Sequence, residues 1–208
     1  MKFRSIAVAA AIWCVGGGVA AACQGTTILF QDSFERLQPT WGQGSDSFKV
    51  VESQLEVAPA ADSYFWIANS ANLYDDIDMC VTMTTLEAAD PIEAKAGLIF
   101  WYADVNNFYV FEIAPNGMAS VWRRQRGKWL AQVDWREAQG ANKGDGAINE
   151  LRVATVGSNA TFFVNGNQFE ELEGGSPPEN GQQIGLFAVS PPSGVARFGF
   201  DNLKVTKP

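Results

Sequence analysis

Apolar and polar residues alternate in short runs along this chain, and the runs are broken by Gly, Asn, Asp and Pro. A period of two, carried by β-branched and aromatic residues, is the pattern of strands half-buried in a sheet and not of helices. It predicts early strands at Thr27 to Phe30, Phe48 to Val50, Gln54 to Val57, Tyr64 to Ile67 and Asp76 to Leu86. Further strands follow at Ala96 to Ala103, Asn107 to Ala114, Ala119 to Gln125, Trp129 to Val133 and Asn149 to Val156. The last four are expected at Asn159 to Val164, Asn167 to Glu171, Gln183 to Ser190 and Ala196 to Thr206. So many strands require two sheets, and an all-β, antiparallel two-sheet sandwich is the predicted fold. Asn165-Gly166 between two such runs is a tight-hairpin signal, because both residues accept positive φ. Pro115-Asn116-Gly117 and Gly157-Ser158-Asn159 are weaker turn signals. The one candidate helical turn, near Glu87 to Ile92, is interrupted by Pro91. Two long, polar segments, Ala138 to Ala147 and Glu173 to Gly181, are expected as surface loops.

The first residues follow a different rule. Lys2 and Arg4 precede an apolar run from Ile6 to Val15, then Gly16 to Gly18 and the small residues Val19 to Ala22. That is the three-part pattern of a secretory signal over residues 1–22, with an apolar core too short for a permanent span. The expected single domain is then 23–208, in a secreted or periplasmic protein. Cys23 directly follows the small-x-small site Ala20-Ala21-Ala22 and is also placed as the lipid-accepting cysteine of a bacterial lipoprotein would be, although Ala20 stands where Leu is usual. Cleavage with release and lipid anchoring at Cys23 both remain open on the sequence.

Composition narrows the chemistry. The formal charge is −8, and two units more negative without Lys2 and Arg4, which disfavours nucleic acid and anionic lipid as partners. The chain has no histidine and no Gly-x-Ser-x-Gly, which removes the usual nucleophilic triad. Zinc loses its common ligands by the same count. With Cys14 in the leader, Cys23 and Cys80 are left to pair, and the bridge would contribute roughly 3–5 kcal/mol by closing a long loop. Calcium is the metal that the remaining oxygen ligands suit, with Asp32 near the first strand and Asp201-Asn202 on the last as candidate donors. The alternative for these carboxylates is bonding to amides in neighbouring turns.

Several segments resemble the concanavalin A-like jelly rolls, in particular the secreted bacterial branch with 3-keto-disaccharide hydrolase and laminin-G-like domains. They are Phe30-Gln31-Asp32-Ser33-Phe34 with Trp41, Ala96-Gly97-Leu98-Ile99-Phe100, Asn107 to Ile113, Gly127-Lys128-Trp129, Asn149 to Val153, Phe163-Val164-Asn165-Gly166, Ile184-Gly185-Leu186 and Phe200 to Val205. The resemblance implies neighbouring first and last strands and one concave sheet that presents a ligand. It implies a carbohydrate-binding, lectin-like module, with a glycoside hydrolase for modified disaccharides or a non-catalytic envelope interaction protein as alternatives. The hydrolase branch often carries an arginine after the Gly-x-x-Phe strand, where this chain has Trp101. The Glu-x-Asp-x-(x)-Glu run of jelly-roll glucanases is absent, and Asp76 with Asp78 or Asp134 with Glu137 do not replace it.

Tryptophan planes stack on the C–H face of a pyranose, and the signal-free chain has them at 41, 66, 101, 122, 129 and 135. Tyr109, Phe111 and Ile113 form the more apolar face of their strand, which leaves Val110 and Glu112 for the opposite one. If Val121 points inward, Trp122 and Arg124 join Glu112 on that outer face, and Trp101 is expected beside them; a buried Arg–Glu pair is the alternative. Trp129 and Trp135, second candidates for ligand contact, lie close to the 138–147 loop, which is expected to wall a cleft. In a hydrolase, Glu112 would be the general acid or base.

Overall fold

The computed structural model describes residues 23–208; the expected signal segment, 1–22, lies outside the described residues. Fourteen strands follow one another: β1 (Thr27–Asp32), β2 (Phe48–Val51), β3 (Gln54–Val57), β4 (Ser63–Tyr74), β5 (Asp78–Glu87), β6 (Lys95–Asp104), β7 (Asn107–Ile113), β8 (Met118–Gln125), β9 (Lys128–Glu137), β10 (Ile148–Val156), β11 (Asn159–Val164), β12 (Asn167–Leu172), β13 (Gln182–Ser190) and β14 (Arg197–Lys207). Among the described residues the one helical element is a 3-10 turn, Pro39–Trp41. The segment 87–92 holds no helix: Pro91 prevents one, and Asp90 Oδ1 instead accepts the N–H groups of Ile92 and Glu93.

The six-stranded sheet runs β4-β13-β6-β7-β8-β9, and the eight-stranded sheet runs β12-β11-β10-β5-β14-β3-β2 with β1 added to β14. First and last strands are neighbours, Asp32 opposite Leu203. The β11–β12 hairpin turns on Asn165 and Gly166 at φ 49° and 78°, the left-handed geometry that this pair of residues accepts. Between the sheets, Phe111 and Phe100 from one side meet Phe162 from the other at ring-centroid distances of 5.1 and 5.4 Å. Cys23 and Cys80 form a disulfide, Cα–Cα 5.5 Å, so the start of the described chain is stapled to β5. Asp78, two residues from Cys80, takes the N–H groups of Gln24 and Gly25 and a buried ion pair with Arg152, Nε to Oδ1 2.6 Å.

β4 and β9 run further than their alternation predicts, to Tyr74 and Glu137. Both contain register shifts, and a bulge breaks the period of two on which a sequence reading relies. The 138–147 loop is pinned to β5, with Asp145 Oδ1 accepting Ala88 N–H and Gly146 N–H reaching Thr85 O.

Candidate functional site

The outer face of the six-stranded sheet carries a second apolar cluster, separate from the core between the sheets. Ile99, Phe108, Val110 and Phe187 are buried there beneath Trp66, Tyr102 and Trp129. A flat sheet of six strands would hold its edge strands roughly 24 Å apart. Here the rings of Tyr64 on β4 and Trp129 on β9, the two edges, lie 5.9 Å apart, so the sheet is curled and this face is concave. Trp129 also meets Phe187 at 5.7 Å and Phe108 at 5.6 Å. Arg124 reaches across the hollow between Trp66 and Trp129, 5.6 and 5.4 Å from their centroids, and donates to Tyr64 Oη at 3.2 Å. One end of the trough is thus filled by the protein's own rings.

The other end is open. A cleft of about 290 Å³ is lined by Tyr64, Lys95, Glu112, Trp122, Trp129, Phe187 and Val189, so that every strand of the sheet contributes at least one residue. Alternation accounts for most of these positions. Val121 is buried toward the core, which turns Ser120, Trp122 and Arg124 outward. Glu112 lies opposite Gly97 and Ser120. At Gly97 the strands run so close that a Cβ would strike the Phe111 carbonyl oxygen. Trp122 Nε1 donates to Ser120 Oγ at 3.0 Å, and Ser120 Oγ donates to Glu112 Oε1 at 3.2 Å. That relay fixes the indole and the carboxyl relative to each other. Ala131, opposite Trp122 on β9, is too short to cover the ring.

Glu112 is 4% exposed. Burial pushes its carboxyl up from 4.5 to about 7, against smaller lowering effects of the Lys95 charge and the Ser120 hydroxyl. It can therefore hold or release a proton near neutral pH. Lys95 places its ammonium 5.1 Å from the Trp135 ring, so Trp135 adjoins the cleft through Lys95 and does not itself line it.

Trp122, Glu112 and Trp129 come together as cleft lining, and Arg124 and Trp135 border it. Trp101 does not join them: it is 2% exposed and packs between the sheets against Phe100 and Tyr109. A bulge is the cause, for Trp101 has φ 46° and the β6–β7 register shifts between Phe100 and Asp104. Phe100 and Trp101 consequently both face inward, where strict alternation would have separated them. No residue of the 138–147 loop lines the cleft. Glu112 and Arg124 do not pair; the arginine bonds Tyr64 Oη and Val105 O. Tyr64, Lys95, Ser120, Phe187 and Val189 were missed in the sequence. Tyr64 with Trp66, and Lys95 with Gly97 and Ile99, each share a strand face at spacing two, and that was the available signal.

The candidate calcium donors bond within the protein. Asp32 Oδ1 accepts Phe34 N–H and its Oδ2 accepts Trp41 Nε1–H, while Asp201 accepts from the backbone and side-chain amide of Asn202. Among the described residues no group of three or more acidic, Cys or His side chains is placed to hold a metal. A larger hollow of about 500 Å³ at Leu29, 72–76 and Lys207 has Tyr74 as its one aromatic, and that ring is buried.

No family model matches the chain, and no curated protein matches it by sequence. Many solved structures are similar in fold. The Emp47p carbohydrate recognition domain superposes with a TM-score of 0.65 at 11% identity, over 91% of this chain and 99% of that one. Carbohydrate-binding module CBM66 from Bacillus subtilis gives 0.63 at 11%, over 79% and 92%, and the Bacillus licheniformis β-glucanase gives 0.59 at 8%, over 86% and 98%. Strand order, neighbouring termini, a curled sheet and these superpositions together show that the chain has the concanavalin A-like jelly-roll fold.

Proposed function

We propose that this chain is an exported carbohydrate-binding protein that holds its ligand in the concave cleft. The observation that carries the reading is the cleft itself, where Tyr64, Trp122 and Trp129 surround a buried carboxyl. An indole face stacks on the apolar C–H face of a pyranose, and Glu112, Lys95 and the Tyr64 hydroxyl offer edge bonds to its hydroxyls. Neighbours described as a carbohydrate-binding module and as carbohydrate recognition domains support it. The disulfide suits an oxidising compartment, and among the described residues no helix is long and apolar enough to cross a membrane. A thioether lipid at Cys23 would need the sulfur that the bridge occupies.

One observation favours a second reading, a glycoside hydrolase: a buried carboxyl that titrates near neutrality is what a general acid requires. The two-carboxylate scheme needs a partner about 5–10 Å away, and Glu112 is the one carboxylate in the cleft lining. A glycan array together with a 3-keto-disaccharide turnover assay, on the chain from Cys23 with calcium or with chelator, separates the readings. Binding without turnover, unchanged by chelator, is expected. Turnover abolished by Glu112→Gln would establish the hydrolase instead, and silence in both assays would refute both.

A further inference from the structure

The carbohydrate reading leaves open which sugars fit, and the charges of the cleft bear on that choice. Lys95 lines it and Arg124 spans its closed end. Among the described residues neither cation is in a salt bridge, whereas Arg136, Lys143, Arg152 and Arg197 all are. Other cations of this acidic chain, Arg123, Arg126 and Lys128 among them, are also outside any salt bridge; what sets Lys95 and Arg124 apart is that both lie at the concave site. Lys95 is held over the Trp135 ring, so its position is defined although no anion fixes it. The carboxyl in the cleft lining, Glu112, is buried and in no salt bridge with Lys95, which leaves the ammonium open to an oxyanion beside the stacking rings.

On the carbohydrate reading, we infer that the ligand is an acidic sugar, whose carboxylate or sulfate is taken by Lys95 while its ring stacks on Trp122. The closed end limits the contact. Trp66, Tyr102, Phe108 and Arg124 fill the trough beyond Trp129, and about 290 Å³ lies at the lower end of ligand clefts, which suits a single terminal unit. Neutral sugars would stack as well but would leave the ammonium without its anion.

The Glu112 carboxyl gives the inference a second readout. The charged or titratable groups facing it across the cleft are Lys95 from β6 and Tyr64 from β4; β8 brings Ser120 and Trp122, β13 Phe187 and Val189, and β9 Trp129. An anion bound at Lys95 repels the ionised carboxylate and raises its proton affinity further. Binding of an acidic sugar must then strengthen as the pH falls from 8 to 6, and by more than binding of a neutral one.

Calorimetric titration with methyl glucuronide, methyl glucoside 6-sulfate and methyl glucoside, at low salt and at pH 6 and 8, tests this. One or both acidic glycosides are expected to bind at least about tenfold tighter than the neutral one. The preference should weaken in high salt and disappear in Lys95→Met and Lys95→Gln. Comparison of the two acidic probes tells a uronate from a sulfate ester. Equal binding of the neutral glycoside, or a preference that survives both substitutions, would overturn the inference while leaving the carbohydrate reading intact. Binding of array glycans to the cleft must hold for either result to be read; a chain that binds no sugar at all removes the reading on which the inference rests.

Discussion

At the scale of single residues, Glu112 couples the cleft to the stability of the protein. In the unfolded chain its carboxyl releases its proton near 4.5, and in the native state near 7. Between those values the native state binds more protons, so stability falls as the pH rises through this window. The contribution is complete below 4.5 and lost above 7, and it amounts to on the order of 3 kcal/mol. Glu112→Gln keeps the shape without the charge. Denaturant unfolding should show this variant as stable as the parent at pH 4 and more stable at pH 8; parallel curves across that range would mean that the carboxyl is not desolvated as described. Trp101 shows the opposite use of a side chain. Its backbone N–H is accepted by Gln182 Oε1 at 2.7 Å, and Gln182 Nε2 in turn donates to Asp75 O and Thr155 Oγ1. Gln182→Ala should cost about 1–3 kcal/mol by leaving those buried groups unpaired, measured by the shift in unfolding midpoint, with no change in sugar binding.

At the scale of elements, the bulge in β6 decides which aromatics belong to the core and which to the cleft. The ring of Trp101 lies so close to Gly175 that a Cβ there would meet it at 2.1 Å. Gly175→Ala should therefore destabilise the protein by about 1–3 kcal/mol through overpacking, and an unchanged melting temperature would show that the 173–181 loop can yield. The same bulge marks the limit of what alternation reveals. Val121 inward with Trp122 and Arg124 outward, Glu112 opposite to Tyr109 and Phe111, and the Asn165-Gly166 hairpin all followed from local spacing and local φ preference. Trp101 did not, because a bulge is stabilised by a distant partner, Gln182, that no local pattern announces. Trp129 was a candidate from the sequence and Tyr64 was not; their meeting across the face depends on curvature, which is a property of the whole sheet. Lys95 was overlooked because a charged residue at a strand start reads as a solvated end until Trp135 is seen beneath it.

At the scale of the molecule, the sandwich supplies a rigid support and the disulfide secures its beginning. Cys23 and Cys80 enclose a separation of 57 residues, and loss of the bridge in Cys80→Ala should lower stability by about 4 kcal/mol in the chain-entropy model. Non-reducing peptide mapping should recover both cysteines in one linked fragment; a lipid-modified Cys23 would contradict the bridge directly. The curled six-stranded sheet buries part of its outer face under its own rings and leaves an open cleft beside them, where sugar is proposed to bind. The most direct measurement is calorimetric titration of the best array glycan into the parent, Trp122→Ala and, as a folded-core control, Gln182→Ala. Trp122→Ala should lose about tenfold or more and Gln182→Ala should keep parental affinity, whereas unchanged affinity in Trp122→Ala would place the sugar elsewhere on the molecule.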